Sequence, residues 1–72
     1  MKNRGFKRLV EAVLTNKFEV ELIESLDNTY YIKTTVPKAD HFVEHYGEAI
    51  LNFKTASLLF DLRVKDLNAN DL

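Results

Sequence analysis

The sequence predicts a two-layer α+β sandwich of order α-β-β-α-β, a three-stranded sheet with both helices on one face. Three observations lead there. Apolar residues recur at helical spacing before residue 16, the period switches to two just after it, and both patterns return once more downstream. The chain has 72 residues with no Cys, two Gly and one Pro, 46% hydrophobic and 29% charged, which describes one small domain over residues 1–72.

Phe6, Leu9, Val10, Val13 and Leu14 fall at i, i+3, i+4, i+7 and i+8, with Lys7, Arg8, Glu11 and Thr15 on the other side. This stripe predicts a basic N-terminal helix over about residues 3–15, within a basic segment 1–17. Asn16 and Lys17 end it. Phe18, Val20 and Leu22 then alternate with Glu19, Glu21 and Ile23, a half-buried strand over about 18–25. The run 29–36 is rich in β-branched and aromatic residues and alternates Tyr30, Ile32, Thr34 and Val36 with Tyr31, Lys33 and Thr35. It predicts a second strand, closed by Pro37.

The register of this hairpin follows from its turn. A two-residue turn at Asp27 and Asn28 would scatter both apolar faces. A three-residue loop of Leu26, Asp27 and Asn28 instead pairs Leu22 with Ile32, Val20 with Thr34 and Phe18 with Val36, with Asn28 at the left-handed position. On the opposite face it sets Ile23 beside Tyr31 and Glu21 beside Lys33.

Beyond Pro37, the residues Phe42, Val43, Tyr46, Ala49, Ile50, Phe53 and Ala56 share one helical stripe, predicting a second helix over about 39–55. Gly47 lies within it and is the place for a break, since glycine costs a helix interior about 1 kcal/mol. Leu58, Phe60, Leu62 and Val64 alternate with Leu59, Asp61, Arg63 and Lys65, which predicts a third strand. Residues 18–67 thus hold hairpin, helix and third strand, and 68–72 form a frayed tail.

Both helices are expected to cover Phe18, Val20, Leu22, Tyr30, Ile32, Phe60 and Leu62. Ile23, Tyr31, Leu51 and Leu59 find no place in that core and form a candidate dimer interface. A chain this short buries only about 60% of the surface its unfolded form exposes, so a homodimer is the expected remedy. No apolar run approaches the ~20 residues of a membrane span and no signal peptide is legible, so a cytoplasmic location is expected.

The formal net charge of -1 is unevenly spread. Residues 1–17 carry a net +4 and residues 18–72 a net -5. The basic end offers Lys2, Arg4, Lys7 and Arg8 to nucleic acid, while Glu19, Glu21 and Glu24 along one strand either discourage edge pairing or imitate a row of phosphates. His41, Phe42, Val43, Glu44 and His45 spell H-x-x-E-H, in which two histidines one helical turn apart bind zinc. A zinc site also needs a third ligand and a closed cleft, and on the expected helix both imidazoles point towards solvent. With no Cys and no Gly-rich phosphate loop, the expectation is a non-enzymatic protein with no catalytic residue, no metal and no cofactor.

Tyr30 and Tyr31, then Phe42, then Tyr46 with Gly47 follow a spacing that resembles the small dimeric uracil-DNA glycosylase inhibitors of Bacillus podoviruses. Val20 and Leu22 upstream and Leu62 and Arg63 downstream are similar to that family's first and third strands. The resemblance covers about residues 18–67. It implies a phage-encoded dimer acting in the host cytoplasm, whose partner is a host uracil-DNA glycosylase blocked at its DNA-binding surface by a DNA mimic. On that reading Phe42 is a helix-borne aromatic that engages the enzyme and Tyr46 a second contact. Glu19, Glu21 and Tyr31 complete the candidate partner-binding set. Val43 and Ile32 stand where the family has acidic residues, the N-terminal helix is extra, and about six residues are inserted after Gly47. The alternative function is a small nucleic-acid-binding accessory protein using the basic N-terminal helix.

Overall fold

A computed structural model describes residues 5–69. Its elements are β1 (Arg8–Leu14), β2 (Glu19–Glu24), β3 (Tyr30–Pro37), β4 (Phe42–Tyr46) and α1 (Phe53–Ala69). The strands form one antiparallel meander in the order β1-β2-β3-β4, and α1 packs across β2 and β3 on one face. The expected order α-β-β-α-β is thereby corrected to β-β-β-β-α, with four strands for three and one helix for two.

The central hairpin has the register its residues predict. Leu22 pairs with Ile32, Val20 with Thr34, Ile23 with Tyr31 and Glu21 with Lys33. Its loop is fixed by short-range chemistry. Asn28 takes a left-handed φ of 67°, the Asn28 amide donates to the Ser25 carbonyl at 3.1 Å, and Ser25 N donates to the Thr29 carbonyl at 2.8 Å. The Asp27 carboxylate accepts from the Thr29 hydroxyl at 2.6 Å and from its amide at 3.1 Å.

The expected N-terminal helix is β1, and a β-bulge explains the misleading spacing. The β1–β2 register shifts between Leu9 and Glu11, which leaves Val10 as the extra residue. In a regular strand Val10 and Val13 would face opposite sides, yet across the bulge both pack against the core. Apolar residues three apart therefore share a face, as they would on a helix. The turn that follows is held by the Thr15 hydroxyl, which accepts from the Lys17 and Phe18 amides at 3.1 Å each.

Residues 39–55, expected as one helix, divide at Gly47. The first part is β4, added to the edge of β3 with Val36 opposite Val43 and Lys33 opposite Tyr46. Gly47 N donates to the Ile32 carbonyl at 2.9 Å, and a Cβ there would stand 3.3 Å from that same oxygen. Tyr30 and Ile50 then exchange backbone hydrogen bonds of 2.8 and 2.7 Å, which ties the crossover to the sheet. Asn52 caps α1, its side-chain oxygen accepting from the Thr55 amide at 3.1 Å.

The expected third strand lies inside α1. Ala56, Phe60, Val64 and Leu67 follow helical spacing and face Val20 and Leu22 of the sheet, joined by Phe18, Ile32 and Val36. Leu58 and Leu62, placed on the core face by strand alternation, point away from it. The Thr34 hydroxyl is buried in this layer with no hydrogen-bond partner among the described residues. Asn68 and Ala69 belong to α1, and residues 70–72 of the expected frayed tail lie outside the described residues. No described helix is long and apolar enough to cross a membrane.

Candidate functional site

α1 covers one face of the sheet; among the described residues no element packs across the other, here called the open face, and alternation along each strand decides what stands on it. From β2 it carries Glu19, Glu21 and Ile23, from β3 Tyr31, Lys33 and Thr35, and from β4 Phe42, Glu44 and Tyr46. The candidate partner-binding residues Phe42, Tyr46, Glu19, Glu21 and Tyr31 therefore share one surface. The helix that was expected to carry Phe42 and Tyr46 is replaced by β4, where the two residues sit four positions apart on the same side.

Lys33 organises the centre of this face. Its ammonium lies 3.3 Å from the Glu44 carboxylate, 4.0 Å from that of Glu21 and 5.4 Å from the centre of the Tyr46 ring. Partial burial pushes the Lys33 pKa down, but the hydrogen bond to Glu44 and the neighbouring Tyr46 outweigh it and hold the pKa above the ordinary lysine value. The Tyr46 hydroxyl donates to Glu44 at 3.3 Å, and its ring stands 6.2 Å from that of Tyr31. Lys33 is the organiser that reading by motif missed. Its position two residues after Tyr31 on the same face was the available signal.

Phe42 stands apart at one end of the face and is 70% exposed. With Leu14, Phe18, Glu19, Thr35 and Pro37 it borders a cleft of about 300 Å³. Leu14 belongs to this cleft only because 8–14 is a strand paired with β2, opposite Glu19. An exposed aromatic beside an apolar cleft, next to three glutamates offset by a single lysine, suits a partner surface that is basic and offers an apolar side chain.

The four residues expected at a dimer interface separate. Ile23 and Tyr31 are buried on the open face, so they are not surplus to the fold, whereas Leu51, in the crossover, and Leu59, on α1, are exposed. The basic set is divided too. Lys2 and Arg4 lie outside the described residues. Lys7 and Arg8 both bind Glu24, at 3.5 and 2.7 Å. The Arg8 hydrogen bond, against some desolvation and with help from the Lys7 charge, holds the Glu24 carboxyl below the ordinary glutamate value.

The H-x-x-E-H residues do not assemble as the zinc motif requires. His45 belongs to β4 and faces the helix side, Glu44 faces the open side, and His41 sits in the preceding turn with its Nδ1 2.7 Å from Asp40. Four residues along a strand span about 13 Å, against about 6 Å along a helix. Among the described residues no three His, Asp or Glu side chains are grouped closely enough to hold a metal ion. Comparison with family models, curated proteins and solved structures finds no match to this chain.

Proposed function

We propose that this chain is a small non-enzymatic inhibitor that binds another protein through the open face of its sheet, and that its target is a uracil-DNA glycosylase. The observation that carries the reading is the gathering of Phe42, Tyr46, Glu19 and Glu21, with Tyr31 buried beneath Tyr46 and Glu44 among them, on the face of the sheet opposite α1. A groove built to hold DNA is basic, and an acidic face with an exposed aromatic at its end is complementary to it. The resemblance in the tyrosine pair, Phe42 and Tyr46 supplies the name of the target. The competing use of Lys2, Arg4, Lys7 and Arg8 on nucleic acid has less support, because its two described members already share the Glu24 carboxylate, which offsets half of their charge.

The test is uracil excision from DNA by a glycosylase in the presence of the folded chain. Inhibition is expected, without binding to the DNA substrate. Phe42→Ala is expected to weaken it by about thirtyfold, the loss of an anchor contributing 2 kcal/mol or more. Since Phe42 is mostly exposed, its melting temperature is expected to stay that of the wild type. Full glycosylase activity at micromolar inhibitor, or a tight salt-dependent shift of plain duplex DNA, would refute the reading.

A further inference from the structure

The cleft at the end of the open face is built by strand register. Leu14 pairs with Glu19, Glu19 with Thr35 and Thr35 with Glu44, so these residues stand in one row across all four strands. Pro37 and Phe42 form the next row on the same face, two residues along β3 and β4. Leu14, 75% exposed, and Phe42, 70% exposed, rise as walls from the two outer strands. Between them the central strands place Glu19 and Thr35, and the buried Phe18 also borders the space of about 300 Å³.

Charge selects what enters. Glu21 and Glu44 on this face both hold Lys33, and at the far end of β2 Glu24 holds Lys7 and Arg8. Glu19 alone of the β2 glutamates makes no ion pair among the described residues. A side chain with an apolar stem and a cationic head matches the walls and the carboxylate at once. Arginine matches them better than lysine. Its planar guanidinium stacks on the exposed Phe42 ring and still offers two parallel N–H donors to the Glu19 carboxylate, while its methylenes lie along Leu14 and Pro37.

We propose that this cleft receives one arginine side chain presented by a partner protein. The proposal rests on the reading of the open face as a protein-binding surface, but not on the name of the target. It makes Glu19, rather than Glu21, the carboxylate that selects the partner, since Glu21 is already offset within the fold.

The probe is the peptide acetyl-Gly-Arg-Gly-amide, titrated into the isotope-labelled chain and followed by two-dimensional NMR. Shifts confined to Leu14, Glu19, Thr35, Phe42 and their neighbours are expected, with a dissociation constant on the order of 1 mM. Glu19→Gln, which keeps the shape, is expected to raise that constant about fivefold, and Phe42→Ala about threefold. Glu11→Gln removes the same charge from outside the cleft and leaves the constant unchanged. Norleucine in place of the arginine abolishes binding, and lysine weakens it. Shifts spread over the whole open face, equal binding by the norleucine or lysine peptide, or a Glu19→Gln variant that binds as tightly as the wild type overturns the proposal. If the chain inhibits a glycosylase while the arginine peptide moves no resonance, the cleft is misassigned and the functional reading stands. If the peptide binds as expected while the glycosylase stays fully active, the target is wrong and the arginine cleft stands.

Discussion

Replacing Phe60 with alanine is the most direct probe of how the C-terminal segment folds. As a helix, the segment turns Phe60 into the core at 1% exposure and leaves Leu58 outside. As the strand its alternation suggests, Leu58, Phe60, Leu62 and Val64 would all face inward and lose comparable stability on truncation. For the helix, Phe60→Ala removes a fully buried ring from contact with Val20, Leu22 and Ala56, a loss of about 3 to 5 kcal/mol. A domain of this size has roughly 4 to 11 kcal/mol in total, at 0.05 to 0.15 per residue, so the variant is left marginal or unfolded. Leu58→Ala is expected to stay within about 0.5 kcal/mol of the wild type. Urea unfolding followed by circular dichroism measures both. A Leu58→Ala loss as large as that of Phe60→Ala would refute the helical assignment and with it the core described above.

Two further perturbations test the core and the edge of the sheet. Thr34→Val replaces a buried hydroxyl that has no partner among the described residues with a methyl of similar shape, and is expected to stabilise by about 1 kcal/mol, read as a higher urea midpoint at unchanged slope. A lower midpoint would show that the hydroxyl is hydrogen-bonded in solution. Glu24 is held below its ordinary pKa of 4.5 by Arg8 and Lys7, so its contribution to stability is complete above that pH and is lost as pH falls through the lower folded value. Glu24→Gln should therefore flatten the acid side of the stability profile. An acid limb identical in variant and wild type would show that the cluster with Arg8 and Lys7 does not form.

The open face also bears on how Phe42 is tested. On a helix, Phe42 and Tyr46 would be core-spaced, and losing either would confound binding with folding. On β4 both project from an exposed edge strand, and every residue of that strand is exposed. Loss of inhibition at constant stability then reports on contact with the target alone. The Glu19→Lys and Glu21→Lys changes ask separately whether the carboxylates matter, since Glu21 is balanced within the fold by Lys33 whereas Glu19 lines the cleft beside Phe42.

The sequence by itself determined the β2–β3 hairpin, down to Leu22 against Ile32 and the left-handed Asn28, because alternation and turn chemistry act within about a dozen residues. That register also determined the neighbours on the open face, Glu21 with Lys33 and Ile23 with Tyr31. Everything outside the hairpin was decided by tertiary contact. In β1 a bulge lets Val10 and Val13 share a face, which mimics a helical stripe. In β4 a five-residue strand has too few positions to separate a period of two from one of 3.6, and its pairing with the edge of β3 settles the matter. In α1 alternate apolar residues coincide with a true four-residue spacing, and only the sheet beneath Ala56, Phe60 and Val64 chooses between them. Phe42 and Tyr46 consequently join Glu19, Glu21 and Tyr31 through hydrogen bonds between strands that no local pattern encodes.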